Sequence, residues 1–248
     1  MKGIILAGDS GTRLNALTVA IPKQLLPLYD KPMVFYAIDL LVQSGVKDIL
    51  IITSPEHQYL FKKTLGDGSL FGANFSYDIQ YLPEGIAQAI SIGAGFINHD
   101  HICLITGDTV ILGESFIQQL HKAYKTAEKS GNATIFTDRS NDEIQYGRVV
   151  VSAQGKAKDI VGKSNSPLDL SIAGIYVFPK EVVECVKNIY KSERNLFEIT
   201  DVNKIFNDKH KLQVQVINNK CQWLDTNSFD SLLYCAQIIK KARLTDKK

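Results

Sequence analysis

At 248 residues, with a net charge of +2, 45% hydrophobic and 22% charged side chains, the chain is long enough for a sizeable core and too near neutrality for a dedicated nucleic-acid binder. It carries no Lys/Arg run interleaved with aromatics, and no apolar stretch approaches the length of a membrane span, so neither nucleic acid nor membrane is an expected partner. The four cysteines, Cys103, Cys185, Cys221 and Cys235, form no C-x-x-C pair; with a strand starting at once and no signal-peptide pattern, a cytoplasmic protein is expected.

Short apolar runs alternate with helical patterns through the first half. KGIILAG reads as a buried strand, and KPMVFYAIDLLVQS (31–44) as a helix with Pro32 in its first turn and Gly45 beyond its end. DILIIT (48–53) is a second strand, EGIAQAISIGAGFI (84–97) a helix despite its glycines, and HICLITGD (101–108) a third strand. Cys103 in that strand reads as a small buried hydrophobe. Strand–helix–strand repetition predicts parallel pairing, with ligands beyond the carboxyl ends of the strands. The second half is less regular. Residues 132–138, 146–162 and 170–178 read as β-rich, 181–190 and 199–208 as helical, 212–217 as a half-exposed strand, and 228–244 as a closing amphipathic helix. One mixed domain over 1–248 is expected, with a nucleotide half over about 1–130 and a substrate half over about 131–248.

After the first strand comes GDSGTR, the shape of a loop whose bare N–H groups cradle a phosphate. It is neither GxxxxGK[ST] nor GxGxxG, because its glycines are Gly8 and Gly11 only. Asp30, at the distance a dinucleotide site needs for its acid, lies in a turn, which makes that reading weak. Asp9 is the puzzle, since a carboxylate inside an anion cradle repels the anion.

LAGDSGTRLNALT followed by PKQLLPLYDKPMVFYAI resembles the sugar-1-phosphate nucleotidylyltransferases, most closely the glucose-1-phosphate thymidylyltransferases. QYLPEGIAQA, LITGD, YGRVV, the GK of IVGKS, AGIYVF, EITDVN and WLDT continue the resemblance in order along the chain. The resemblance implies an α/β fold, a Rossmann-like, mainly parallel mixed sheet flanked by helices. It also implies nucleotidyl transfer from a triphosphate to a sugar 1-phosphate, with release of pyrophosphate. Such chemistry needs positioning and charge neutralisation rather than a protein nucleophile.

On the nucleotide side the resemblance implies Leu6, Ala7, Gly8, Gly11 and Thr12 of the loop, with Gln80 and Gly85 reading a pyrimidine base, hence dTTP or UTP. Arg13, at an expected helix N-terminus, and Lys23 would face the triphosphate. Asp108 and Asp225 are the candidate ligands of Mg2+, which takes one or two carboxylates plus phosphate oxygens; the plain alternative for both is capping of the next helix. Gln88 reads equally as facing the site or facing solvent. Tyr146, Gly147, Lys163, Arg194 and Trp223 match the sugar-phosphate side, although Trp223 also suits plain core. A homo-oligomer is expected from the family.

The departures fall at Asp9 and Asn227, where the family has glycines, at Gly162, where it has a glutamate, and at Thr109, where it has an asparagine. The chain also stops soon after the helix that follows Asp225, so the family's C-terminal regulatory site is expected to be absent. The retained charges favour an active enzyme with an altered sugar pocket. Asp9 and Gly162 motivate the competing expectation, a non-catalytic homologue that binds nucleotide or nucleotide sugar. A dinucleotide oxidoreductase is a distant third.

Overall fold

The computed structural model describes residues 1–9, 11–138, 147–151, 157–161 and 170–245. In chain order its strands are β1 (Lys2–Ala7), β2 (Pro27–Leu28), β3 (Lys31–Pro32), β4 (Asp48–Thr53), β5 (Asn74–Ile79), β6 (Ile102–Thr106) and β7 (Val110–Leu112), then β8 (Ala133–Asp138), β9 (Arg148–Val151), β10 (Ala157–Val161), β11 (Leu170–Phe178), β12 (Leu212–Val216) and β13 (Gln222–Leu224). The main sheet runs β10-β9-β11-β6-β1-β4-β5, with β8 also on β11 and β12 outside β8. β1 is parallel to β4 and β6, and β4 to β5, while β11 runs antiparallel to β6, β8 and β9. The Rossmann-like mixed sheet flanked by helices, expected from the sequence, is the fold observed.

The central strands are apolar throughout because both faces are covered. Alternate side chains point to opposite faces. Ile5, Ile49, Ile51, Cys103 and Ile105 join one buried layer, under the helices Val34–Gln43 and Ser115–Ser130. Ile4, Leu50, Ile52, Ile102 and Leu104 join the other, under Gln88–Ile92, Val182–Val186 and Ile199–Asp208. Burial pushes the Cys103 thiol up to about 12, in keeping with a small hydrophobe. A third cluster, with Leu28, Met33, Tyr36, Leu224, Cys235 and Ile239, seats the C-terminal helix Phe229–Thr245 beside the hairpin β2–β3. There Asp30 takes Arg243 at 3.1 Å and the Tyr36 hydroxyl at 3.3 Å, a structural role. Among the described residues no helix is long and apolar enough to cross a membrane.

Several expected elements are corrected. The helix over 31–44 begins only at Val34, because Lys31–Pro32 pairs with Pro27–Leu28 first. The expected helix over 84–97 is two short ones, Gln88–Ile92 and Ala94–Ile97, broken at Gly93. A Cβ on Gly93 would lie 3.1 Å from Ile4 Cδ1 and 3.2 Å from Leu50 Cδ2, so the break lets backbone press on the sheet. Residues 84–87 are excluded from the helix by Gly85, whose φ of +105° is left-handed. The helix expected over 181–190 contracts to Val182–Val186. The periodicity of Ser115–Ser130, with Phe116, Leu120, Ala123 and Ala127 buried, and the edge strand β5 went unread in the sequence.

Candidate functional site

Parallel pairing brings the carboxyl ends of β1, β4, β5 and β6 to one edge of the sheet. The Gly107 N–H donates to the Leu6 carbonyl at 2.8 Å and the Gln80 N–H to the Thr53 carbonyl at 2.8 Å, so the loops leaving these strands start side by side. A cleft of about 380 Å³ opens there. Leu6, Arg13, Gln80, Gly85, Asp108, Gly147, Arg194 and Trp223 of the sequence candidates line it. Gly11, Thr12, Arg13 and Lys23 line an adjoining recess of about 120 Å³, which shares Asp9, Arg13 and Asn227 with the cleft. Ala7 is buried in the sheet core and contributes no wall. Tyr146, Gly162 and Lys163 lie outside the described residues.

The antiparallel pair β7–β13 sets Leu224 opposite Val110 and so carries Asp225 alongside Asp108. The Thr226 hydroxyl donates to the Asp108 carbonyl at 3.2 Å and pins the two turns together. Into this corner reaches Lys23, 1% exposed. Its ammonium donates to Asp108 Oδ2 at 2.6 Å and to Asn227 Oδ1 at 2.7 Å. The Asn227 amide in turn donates to Asp225 Oδ1 at 2.6 Å, and its backbone N–H to Oδ2 at 3.3 Å. Burial opposes ionisation of Asp108, but the Lys23 charge and hydrogen bond, with help from Thr106, hold its carboxyl below the usual range. Neither aspartate caps a helix. Asp108 leads into β7, and the C-terminal helix is capped by Ser228 and Ser231, which exchange N–H to Oγ bonds at 2.9 and 3.0 Å. Asp225 stands behind Asn227 rather than on the cleft wall.

Asp9 has a definite place. Its Oδ1 accepts the Gly11 N–H at 3.1 Å, so the side chain occupies a donor that the loop would otherwise offer to an anion. Gly11 is left-handed, with φ +62°, and leads into a single 3₁₀ turn (Thr12–Leu14) and the four-residue helix Asn15–Thr18. The helix N-terminus expected behind Arg13 is thus short, and its dipole is correspondingly small. Arg13 is exposed at the mouth.

Gln80 is 4% exposed and abuts Gly8, where a Cβ would lie 2.5 Å from Gln80 Oε1. Its Nε2 donates to the Gly85 carbonyl at 3.2 Å and to Gln88 Oε1 at 2.6 Å. Gln88 therefore faces Gln80 rather than solvent alone. On the segment that packs against residues 84–87, Arg194 pairs with Glu198 at 2.8 Å, and Glu198 also accepts from the Ser192 hydroxyl at 2.9 Å. Trp223 serves both of its readings, because it lines the cleft and packs on the first apolar layer.

Gln24 and Gly174 are among the cleft residues that the sequence reading did not name. Gln24 is 1% exposed, and its Oε1 has no hydrogen-bond partner among the described residues; its place beside Lys23 was the available signal. Gly174 sits at φ +71° where β11 shifts register between Ile172 and Tyr176. A Cβ there would lie 2.6 Å from the Thr106 hydroxyl and 2.9 Å from that of Thr109, so a bare backbone makes the cleft floor.

A family model described as Nucleotidyl transferase matches residues 2–242. Glucose-1-phosphate thymidylyltransferase of Neisseria meningitidis is 41% identical over 241 residues, which cover 97% of this chain and 83% of that one. The enzyme of the same name from Mycolicibacterium smegmatis is 40% identical over 245 residues, covering 98% and 84%. Among solved structures, a Bacillus anthracis protein crystallised with sucrose superposes with a TM-score of 0.86 at 29% identity, over 96% of this chain and 94% of that one.

Proposed function

The chain belongs to the nucleotidyl transferase family, and on that premise we propose that it joins a pyrimidine nucleoside triphosphate, dTTP or UTP, to a sugar 1-phosphate. A nucleotide sugar forms and pyrophosphate leaves. The observation that carries this reading is Lys23, a buried ammonium held at the cleft by Asp108 and Asn227. An oxygen of the sugar phosphate attacks the α-phosphorus, and the bond to pyrophosphate breaks on the far side. The acceptor is already ionised, so no base is required, and the protein holds and neutralises two anions. Lys23 and Arg13 face the triphosphate, while Arg194 offers its remaining N–H donors to the acceptor phosphate.

Asp108, on the cleft wall, and Asp225, engaged behind it by Asn227, carry the hard oxygen donors that a magnesium ion takes, and Asp225 would have to exchange its contacts with Asn227 for the ion. They are two carboxylates joined through Lys23 and Asn227, and among the described residues no third His, Cys, Asp or Glu joins them. Mg2+ is satisfied by such a pair when phosphate and water complete its shell. When bound, it would neutralise charge on the reacting phosphates. The test is release of pyrophosphate from dTTP and from UTP with a panel of sugar 1-phosphates. Turnover with at least one pair is expected, and none from a folded protein overturns the reading.

Asp9 favours the second reading, a binding subunit without turnover, because it fills part of the phosphate loop. Asp9→Gly removes both a competing hydrogen bond and a like charge, worth about 1 kcal/mol at about 4 Å in water. An exposed carboxylate belongs near that limit. The KM for the triphosphate is expected to fall about fivefold in Asp9→Gly with kcat little changed. If turnover appears only in the variant, the native loop is a binding site without activity.

A further inference from the structure

We propose that Gln88 is a positioning residue that fixes Gln80 as a hydrogen-bond acceptor toward the cleft, and so selects thymine or uracil over cytosine. The inference rests on reading the cleft as a nucleotide site.

The polarity of the two amides is set by groups that have no choice. The Gly85 carbonyl only accepts, so the atom of Gln80 at 3.2 Å from it is Nε2. The Glu84 N–H only donates, so the atom of Gln88 at 3.2 Å from it is Oε1. Gln88 Nε2 is then turned to Glu84 Oε2, at 3.1 Å, an acceptor again. The other carboxylate oxygen of Glu84 is held by Lys191, whose ammonium also stands 5.4 Å from the Phe197 ring centre. Phe197 closes the arrangement by donating its N–H to the Glu84 carbonyl at 2.7 Å. Every donor in this set meets an acceptor.

Gln88 Oε1 thereby takes the second N–H of Gln80, at 2.6 Å. Both hydrogens of the Gln80 amide are committed away from the cleft, one to Gly85 and one to Gln88. What Gln80 presents is Oε1, beside Gly8 at the cleft wall. An acceptor there pairs with the ring N3–H of thymine or uracil. Cytosine carries a lone pair on N3, and two acceptors face to face in a nearly dry corner leave both unsatisfied. Without Gln88 the Gln80 amide keeps only its longer anchor, the Gly85 carbonyl at 3.2 Å, and its second N–H is released to swing toward the cleft as a donor, which weakens the discrimination.

Calorimetric binding of dTTP and dCTP, with magnesium, to the wild type, Gln88→Met and Gln88→Glu tests this. Met fills the space without a polar atom, and Glu keeps an acceptor toward Gln80 while exchanging the N–H···O bond to Glu84 Oε2 for a like-charge contact. The wild type is expected to prefer dTTP about 100-fold, Gln88→Met less than about 10-fold, and Gln88→Glu to keep a ratio close to that of the wild type at a lowered melting temperature. In Gln88→Met, an unchanged melting temperature with a changed ratio separates positioning from general destabilisation. Equal binding of dTTP and dCTP by the wild type overturns the inference, and decides the matter even if Gln88→Met does not fold. A wild-type preference that survives in Gln88→Met also overturns it. Binding of neither nucleotide to the wild type overturns instead the nucleotide reading on which it stands.

Discussion

Lys23→Met is expected to lose transfer by about 10²- to 10³-fold in kcat, the scale for removing one preorganised charge donor from a transition state. Met keeps the length of the stem, so the change isolates the ammonium. It also leaves Asp108 without its counter-charge. Breaking a buried pair costs about 3–5 kcal/mol, and the 23% exposure of the Asp108 side chain favours the lower end. A domain with about 5–15 kcal/mol of stability stays folded after such a loss. The pH dependence gives an internal check. The folded-state value of Asp108 is lowered, so its stabilisation is present above the ordinary carboxylate range and is lost as pH falls through the folded value. Denaturant unfolding of both proteins at neutral pH and at about pH 3 should therefore show the gap between them narrowing in acid. Equal stability at neutral pH, or kcat within twofold of the wild type, would refute this account of the corner.

Gly85→Ala is the second large effect, and here backbone rather than charge decides. A Cβ on Gly85 would stand 2.3 Å from the Phe197 carbonyl oxygen and 3.0 Å from its carbon, at φ +105°. Neither obstacle is a flexible side chain, and the same segment is tied by the Ala87 N–H to the Phe197 carbonyl at 3.3 Å. Strain and overlap together cost about 2–5 kcal/mol. Because the Gly85 carbonyl anchors Gln80, the shift also disturbs the wall read as the base site. Nucleotide affinity should fall at least tenfold along with the melting temperature. Gly66→Ala is the control: its backbone, φ +62° and ψ −141°, also disfavours a side chain, but nothing lies within 4 Å, so it should cost about 1–3 kcal/mol from strain alone and leave affinity unchanged. If the two variants behave alike, the close approach at Phe197 is not what matters.

Periodicity and ordered motifs made much of this legible before any coordinates. β1, β4 and β6 are continuous apolar runs ended by glycine or turn residues, and their carboxyl ends do carry Gly8, Asp9 and Asp108. What was not legible was contact across the chain. That Asp9 turns onto its own loop depends on the backbone of Gly11, and that Asn227 spans Lys23 and Asp225 depends on β13 pairing with β7. Gln88 was undecidable from helical spacing because its helix begins only at residue 88, after a left-handed glycine. The edge strand β5, NFSYDI, alternates half-buried and exposed residues and lacks the apolar density that marked its neighbours.

The contact between Lys23 and Asn227 joins residues 204 apart in sequence. During synthesis at about 5–20 residues per second, the lysine waits about 10–40 s for that partner to be made. Asp108 arrives earlier, so the ammonium meets a counter-ion before it meets its amide. The corner on which transfer would depend is therefore complete only once residue 227 has been made, well after the phosphate loop has left the ribosome's active centre.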